Sequence, residues 1–516
     1  MSEPSVDSSV SVGAQAANSE SRPRLQGGRL GTVAVAFFVI AAAAPVAAFA
    51  GASPVIFSAV GSATPLIYPI AGILVALFAV GYLRMGRSIS NAGGFVVYIA
   101  KGLGPTWASG AASLVLVTYL SLQVGLWAQF GVFADQLVGR LTGVSIPPLV
   151  WILVMIFATT ALTIRGIDAS LRVLGVIIVL EILAVVALIV AVVADRGIGV
   201  FTLDGFTPDA LFVPGIGVAL LFAFSCFTTF EATVVFSEEA REPRRTIPRA
   251  LSLVIAFVAV FYFIGTWAVS GYIGADNVQG VAETTYATMI FDVGGQSAGE
   301  WLAIVLEILV VTSFIAMLLG VSNMFSRYLF ALGRTGVLPR HLSTLSDSGL
   351  PRRAIATNGL VVAVIVAAFL LAGADPMGVV YSWFLALGTA GFIGILLLTS
   401  IAVVLFFART GEWRSNVAST VVAPIFAVIA FAIVAWITVA NYDVLLGGGG
   451  DFAKWLLLAL PIASVAWASQ YAQHVPGQKS CRLVRPRAET DSVTRYYLPM
   501  SLPQVSVPEV CITDLR

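Results

Sequence analysis

Three glutamates lie in or beside long apolar segments of this sequence. Glu181 is embedded in residues 173–194, Glu307 in residues 301–326, and Glu231 follows the charge-free run 210–230. A carboxyl group at that depth of a lipid bilayer is costly, so each glutamate is a candidate functional residue by default. Glu231 can bind and release a proton, or it can be a neutral group hydrogen-bonded to a neighbouring helix. Glu307 has no assigned role.

Residues typical of other chemistry are scarce. The chain has two histidines, and Cys226, Cys481 and Cys511 show neither the spacing of a metal site nor an even disulfide framework. No Walker-type phosphate-binding motif occurs, and a net charge of +1 provides no field that favours nucleic acid. We therefore expect no enzyme, no cofactor, no metal and no nucleic-acid partner.

The composition places these residues in a membrane. Hydrophobic residues make up 59% of the 516 residues and charged residues 11%, against about 25% charged in soluble domains. A membrane-spanning helix needs about 20 apolar residues, and the lipid bilayer is thus the expected environment. Twelve candidate spans follow, at 32–60, 66–83, 104–138, 147–165, 169–194, 209–239, 248–273, 299–332, 354–372, 377–408, 416–441 and 453–473.

The basic residues set the orientation, because Lys and Arg remain cytoplasmic. With a cytoplasmic N-terminus, all of the 28 Lys and Arg except Arg140, Arg196 and Lys454 lie on the cytoplasmic side. This predicts a multi-pass protein of the cytoplasmic membrane with both termini inside. Residues 1–30 and 474–516 are polar and are expected to be disordered tails. Between them we expect a transport core at 31–408, in halves 31–196 and 209–408, and two further helices at 415–473.

Spans one and six contain residues that interrupt helices. Span one has Pro45, Gly51 and Pro54 within ten residues, and span six has the polar cluster 225–231 at mid-bilayer. Prolines and glycines can simply kink a membrane helix. Two interrupted spans five helices apart are instead typical of inverted-repeat transporters with a midplane site. Free amides at a broken end suit a carboxylate, and free carbonyls suit an ammonium group.

Three segments carry a resemblance to a known family. Residues 230–232 with 237–250 (Ser-Glu-Glu-Ala-Arg-Glu-Pro-Arg-Arg-Thr-Ile-Pro-Arg-Ala) resemble the sixth-helix and loop motif of the amino acid–polyamine–organocation permeases. Residues 91–98 resemble the cytoplasmic gate segment of that family, and 326–339 the end of its eighth helix. The likeness runs from about 30 to 473. It implies an all-α membrane protein of the LeuT type, with five plus five inverted helices and two more.

The resemblance also implies a solute site. It places the substrate carboxylate near span one, where Ala50, Gly51, Ala52 and Ser53 stand in place of the usual Gly-Ser-Gly break. The amino group would lie near the carbonyls of span six, on Phe224, Ser225 and Cys226. Phe227 matches a gating phenylalanine in the family, although a Phe in any buried helix is equally expected to pack as core.

A coupling-ion site is implied by the same resemblance. Glu181 takes the place where some proton-coupled relatives carry a lysine on the fifth helix, beside a position occupied by sodium in others. Thr312 and Ser313 resemble the hydroxyl pair that lines this position, although such hydroxyls often bond only to their own helix. We expect H⁺ as the coupling ion, with Na⁺ as the alternative.

The resulting prediction is a secondary active transporter of amino acids that is coupled to protons. The alternatives are a carrier or exchanger of polyamines or other organic cations, and a membrane receptor that senses a solute without moving it. The residues leave open which amino acid or amine is the substrate, symport or exchange, and the oligomeric state.

Overall fold

The structure, a computed structural model, is helical throughout the part that it describes. It describes residues 31–88, 94–165, 171–231, 233, 240–335, 338–346, 350–411, 416–440 and five positions between 459 and 466. The two predicted tails lie outside these residues. The helices, numbered in chain order, are α1 Thr32–Ala42, α2 Pro45–Val60, α3 Thr64–Ser88, α4 Gly94–Leu103, α5 Pro105–Thr142, α6 Pro148–Ile164, α7 Leu171–Arg196, α8 Pro208–Leu211, α9 Ile216–Ser225, α10 Pro243–Ile273, α11 Val278–Thr284, α12 Met289–Ala298, α13 Glu300–Thr335, α14 Arg352–Leu371, α15 Ser382–Thr410 and α16 Ala423–Ala440.

Long apolar helices dominate this set. Eight stretches are long and apolar enough to cross a membrane, counting α2 and α3 as one, and α4, α6 and α9 are shorter apolar helices. Helices occupy the positions of the first eleven predicted spans, and the twelfth lies largely outside the described residues. The sequence did not predict α4 as a separate helix, nor α11 and α12 between spans seven and eight.

Proline and glycine explain many of the helix ends. Pro45, Pro105, Pro148 and Pro243 each stand in the first turn of a helix, where the fixed φ of proline suits the helix and its missing N–H is not needed. The helix α5 ends at Gly143, which has a φ of 73°. Only glycine adopts this left-handed conformation at little cost.

The helices pack in two groups. The first contains α1, α2, α3, α9 and α10, and the second contains α5, α6, α13 and α14. The helix α7 packs against α1 and α2 of the first group and α13 of the second, and α15 likewise contacts α9 and α5. The two interrupted spans therefore lie within one group. They contact α7 and α15, and α1 and α2 also contact α13 of the other group directly.

Small residues allow α5 and α15 to approach closely. A Cβ added at Gly125 would lie 3.0 Å from the backbone nitrogen of Leu385, and one at Gly388 would lie 2.9 Å from that of Leu122. Real Cβ atoms essentially never come as near as the Cβ at Gly388 would, and the contact at Gly125 would be tighter than nine in ten real ones, so both positions favour glycine. Close contact through small residues is the usual way in which membrane helices associate.

Candidate functional site

Span one is interrupted between α1 and α2. Ala43 forms a turn, Ala44 has φ 48° and ψ 67°, and Pro45 opens α2. Within the described residues, Ala44 is the one non-glycine residue with a positive φ. The ring of a proline disfavours the α conformation for the residue before it, so Pro45 begins a new helix. An unfavourable backbone at a helix break is a feature typical of functional sites.

The interruption of span one lies at a different place from the one that the family resemblance implies. The break implied for Ala50, Gly51, Ala52 and Ser53 is absent there, because all four residues lie within α2 and are buried. Two side chains from other parts of the chain contact this segment. Tyr381 donates a hydrogen bond to the Gly51 carbonyl at 3.0 Å, and Gln129 lies against the Cα of Gly51 so closely that an added Cβ would overlap it. The solute contacts predicted for these residues stay a prediction.

Glu181 lies beside the first turn of α2, where the second half of span one begins. Its Oε2 accepts a hydrogen bond from the Val46 N–H at 3.2 Å, and the side chain is 2% exposed. The first N–H groups of a helix have no partner within it and carry a partial positive charge, so they attract an anion. Glu181 therefore connects α7 to the first turn of α2.

Of the two hydroxyl groups predicted to line the coupling-ion site, one lies beside Glu181. Ser313 of α13 is buried beside the Glu181 carboxyl group, and its Oγ makes no hydrogen bond of good geometry within the described residues. Thr312 instead donates to the carbonyls of Ile308 and Leu309 on its own helix. The structure thus brings together Glu181, Ser313 and the first turn of α2, whereas the Thr312 hydroxyl bonds to its own helix.

Span six is interrupted where the sequence predicts. The helix α9 ends at Ser225, Cys226 and Phe227 form a turn, and a short 3₁₀ segment covers Thr228–Glu231. The Phe227 N–H donates to the Phe224 carbonyl at 3.0 Å, and the Thr228 hydroxyl donates to the Ser225 carbonyl at 2.8 Å. Each of these carbonyls has a second lone pair that can accept another donor.

The aromatic side chains of span six point to other helices. The rings of Phe224 and Phe431 lie 5.7 Å apart, so Phe224 faces α16. Phe227 is buried, and its ring lies beside Gly72 of α3. Its role as a gate stays a prediction. The side chain of Glu231 lies outside the described residues, although its backbone belongs to the 3₁₀ segment.

Sequence reasoning missed the polar side chains that surround the two breaks. Tyr68 of α3 and Ser53 form a hydrogen bond of 2.8 Å between their hydroxyls. The rings of Tyr68 and Tyr262 lie 5.0 Å apart. The hydroxyl of Tyr262 and the Nε2 atom of Gln129 are buried, and neither has a hydrogen-bond partner within the described residues. The sequence signal for these residues was a tyrosine or glutamine inside an apolar span. The polar atom of such a side chain needs a hydrogen-bond partner in the membrane, which a bound solute can supply.

A pocket lies between the loop after α11 and the start of span ten. It has a volume of about 410 Å³ and is lined by Val132, residues 284–288 and residues 375–377. The Tyr286 hydroxyl lies 3.4 Å from the Ser382 hydroxyl, next in sequence to Tyr381. Burial raises the pKa of Tyr286 above its ordinary value, so this side chain stays a neutral hydroxyl at physiological pH. Within the described residues, no group of three His, Cys, Asp or Glu could hold a metal ion.

Glu307 belongs to an ion-pair cluster outside this site. Arg140 Nε lies 2.9 Å from Glu307 Oε1 and 3.0 Å from Oε2, and Arg140 Nη1 lies 2.7 Å from Glu300 Oε1. The Glu307 side chain is 2% exposed, and that of Glu300 is 62% exposed. The cluster joins the end of α5 to the start of α13 and gives the unassigned glutamate a structural role.

We expect Arg140→Gln to destabilise the protein much more than Glu300→Gln. Removing Arg140 leaves the buried Glu307 carboxylate without its partner, a loss of about 3 kcal/mol. An exposed ion pair contributes at most about 1 kcal/mol. Thermal unfolding of the purified protein in detergent measures both variants. Equal melting temperatures for the two variants would contradict this role of Arg140.

The chain is similar to known permeases and transporters. Residues 30–448 match the amino acid permease family. The low-affinity putrescine importer PlaP of Escherichia coli is 25% identical over 282 residues, which cover 54% of this chain and 60% of that protein. The branched-chain amino acid permease BcaP of Lactococcus lactis is 26% identical over 58% of this chain and 67% of that protein. The vacuolar cationic amino acid transporter 4 of Arabidopsis thaliana is 24% identical over 60% of this chain and 52% of that protein.

Proposed function

The chain belongs to the amino acid permease family, and from this membership we propose that it is a secondary active transporter that carries amino acids across the cytoplasmic membrane, coupled to protons. It works by alternating access around the interruptions in spans one and six. A solute binds between the two interruptions, and the protein opens to one side of the membrane at a time.

The crossing of the two interrupted spans is the observation that carries this proposal. The first half of span one, α1, packs against the 3₁₀ segment Thr228–Glu231, and the second half, α2, packs against α9. The first half of each span thus meets the second half of the other, so the two spans run antiparallel. Non-helical backbone at membrane depth is tolerated only where it is buried or lines a cavity.

We extend this arrangement to a LeuT-type topology of twelve helices. Residues 31–196 and 209–408 form the two inverted repeats, and residues 415–473 form helices eleven and twelve. Helices at the first eleven predicted positions support this topology, as do interruptions in the first helix of each repeat. The distribution of Lys and Arg supports cytoplasmic termini.

We assign the coupling proton to Glu181. As a carboxylate, Glu181 is held by the Val46 N–H and by the positive end of the α2 dipole. Protonation removes its charge and weakens that attraction, so it loosens the contact of α7 with the broken end of span one. Ser313 faces the same carboxyl group and is the other side chain available to a bound cation.

The solute site lies beside the turn of α2 formed by Ala50, Gly51, Ala52 and Ser53. The amides of these residues belong to a continuous helix, and the first turn of α2 is occupied by Glu181, which would repel a second carboxylate. We therefore assign the substrate carboxylate to the unpartnered donors Gln129 Nε2 and Tyr262 Oη. The ammonium group lies at the carbonyls of Phe224, Ser225 and Cys226, beside Phe227.

A polyamine is the second candidate substrate, and two observations favour it. One relative is a putrescine importer, and the rings of Tyr68 and Tyr262 lie together near the break, where an ammonium group can bind to an aromatic face. A diamine has no carboxylate and would leave the Gln129 and Tyr262 donors without an anion.

Uptake into proteoliposomes tests the function. We expect accumulation of at least one amino acid when an inward proton gradient is imposed, and little accumulation without it. Accumulation of putrescine alone would support the polyamine alternative. Dependence on a sodium gradient would identify Na⁺ instead of H⁺ as the coupling ion. Specific binding of a solute without uptake under any gradient would contradict transport.

Glu231→Gln provides a second test of proton coupling. We expect the variant to remain folded in the membrane, and its uptake to fall or to lose its dependence on pH, because glutamine cannot release a proton at membrane depth. Uptake is measured across a series of external pH values, with the elution profile in detergent as the check on folding. Unchanged uptake at every pH would remove Glu231 from the mechanism.

A further inference from the structure

A cluster of three polar side chains joins α5, α13 and α14 away from the two interrupted spans. It consists of Gln123 on α5, Ser322 on α13 and Asn358 on α14, and we call it the Gln123 cluster. Gln123 is 0% exposed and Asn358 is 3% exposed. Gln123 Oε1 accepts two hydrogen bonds of 3.1 Å, one from the Ser322 hydroxyl and one from Asn358 Nδ2. One carboxamide oxygen therefore links three helices.

Two longer hydrogen bonds orient the carboxamide groups of this cluster. Gln123 Nε2 donates to the Tyr119 carbonyl of its own helix at 3.4 Å, and Asn358 Nδ2 donates to the Ser322 carbonyl at 3.4 Å. Hydrogen bonds depend on direction, so the cluster resists rotation or sliding of one helix against another, which apolar contacts permit. Setting the register of packed helices is the best-attested use of a buried polar group. The cluster therefore fixes how α5 and α13 lie against each other.

A second polar contact joins α5 and α13 farther along their lengths. Arg140 near the end of α5 pairs with Glu300 and Glu307 near the start of α13. From the Gln123 cluster to this ion pair, residue numbers rise along α5 and fall along α13, so the two helices are antiparallel. Residues 123–140 of α5 and 307–322 of α13 therefore lie between two contacts that hold the helices in register.

The segments between these two contacts carry two side chains of the proposed transport site. Gln129 follows Gln123 by six residues on α5, and Ser313 precedes Ser322 by nine residues on α13. At the rise of an α-helix, these separations are about 9 Å and about 14 Å along the two axes. Because the helices are antiparallel, both side chains lie on the same side of the cluster. A change of register at the cluster would therefore move Gln129 and Ser313 relative to each other and to α2.

We propose that Gln123 is a positioning residue for solute binding, and that it acts by setting the register of α5 against α13. This register places Gln129 of α5 against Gly51 of α2. It also places Ser313 of α13 beside the Glu181 carboxyl group. The inference rests on the proposed function, because it assigns Gln123 an effect on a solute that binds beside Gln129.

The test measures how tightly Gln123→Leu binds the transported solute. Leucine fills the space with an apolar side chain and removes both hydrogen bonds to Gln123 Oε1. The apparent affinity falls with the population of the binding-competent arrangement. The dissociation constant of the radiolabelled solute should therefore rise roughly 3- to 20-fold, the factor that a hydrogen bond between membrane helices contributes. The number of binding sites per purified protein should stay native, whereas a merely structural role would lower that number and leave the dissociation constant unchanged.

Ser322 provides a milder variant and its rescue. Ser322→Ala removes one hydrogen bond of the cluster and should raise the dissociation constant by a smaller factor than Gln123→Leu. Ser322→Thr keeps the hydroxyl and should bind solute like the native chain. The matched control is Ser400→Ala, because the buried Ser400 hydroxyl donates to the Leu396 carbonyl of its own helix, α15. This control should also keep the native dissociation constant.

The double variant Gln123→Leu/Ser322→Ala should bind solute no more weakly than Gln123→Leu, because the two side chains share one hydrogen bond. A native dissociation constant in Gln123→Leu, or equal dissociation constants in Ser322→Ala and Ser400→Ala, would overturn the positioning role while transport by the native chain stands. A native chain that neither binds nor transports any solute would refute the proposed function, and this inference with it.

Discussion

Glu181→Gln is expected to lower proton-driven uptake roughly 10- to 100-fold, the range of a charge-assisted hydrogen bond of about 1.5–3 kcal/mol. Glutamine keeps the size of the side chain and an oxygen that can accept from the Val46 N–H, but it cannot bind or release a proton. The remaining uptake should therefore be independent of pH. Initial rates in proteoliposomes, measured from acidic to neutral external pH, provide the test.

The matched control for this prediction is Glu283→Gln. Glu283 is an exposed carboxylate in α11, so its replacement removes the same charge far from the interruption of span one. It should leave the rate and its pH profile unchanged. Glu181→Gln protein that elutes normally and transports with the native pH profile would exclude Glu181 as the proton carrier.

Gly51→Val is expected to lower solute affinity and uptake strongly while the protein still inserts in the membrane. An added Cβ at Gly51 would overlap the side chain of Gln129, so Gln129 must move away from the turn of α2 beside which we place the solute. Displacing Gln129 removes a donor that we assign to the substrate carboxylate, and a hydrogen bond to a charged group contributes about 1.5–3 kcal/mol, so solute affinity should fall roughly 10- to 100-fold. Binding of a radiolabelled substrate to the purified variant measures this loss.

Gly320→Val is the control, because an added Cβ at Gly320 of α13 meets no atom within 4 Å. Both variants exchange a glycine for the same β-branched residue within a long helix, so they share any general effect on helix stability. We expect native affinity in Gly320→Val. Equal affinities in the two variants would show that the space between Gly51 and Gln129 is unrelated to solute binding.

The positions of the helices could be predicted from the sequence because lipid imposes a minimum length on each apolar run. The interruption of span six could also be predicted, because its signal is local in the sequence. A polar, β-branched run at 225–231 is a poor helix former, and it lies at mid-bilayer. The helices α11 and α12 were not predicted. Short helices in loops depend on packing against the rest of the protein, and the spacing of apolar residues in the sequence does not show this packing.

The interruption of span one was misplaced because local sequence does not distinguish its two prolines. Pro45 and Pro54 both lack an N–H, yet only Pro45 begins a new helix, after the left-handed Ala44. Residues 50–53 stay helical while Tyr381 and Gln129 pack against Gly51. The contacts of Gly51 with Gln129 and Tyr381 join residues 78 and 330 positions apart, and the bond between Glu181 and Val46 joins residues 135 positions apart.

Labelling of Cys226 tests most directly whether a solute binds where the interrupted spans cross. In a Cys481→Ser/Cys511→Ser background, N-ethylmaleimide should modify Cys226 and block uptake, and the transported solute should slow this modification in proportion to its occupancy. A Cys226→Ser variant with Ser145→Cys, at an exposed position after α5, should be modified at the same rate with and without solute. Modification of Cys226 that is indifferent to saturating solute, or no modification during transport, would contradict a site at the two breaks.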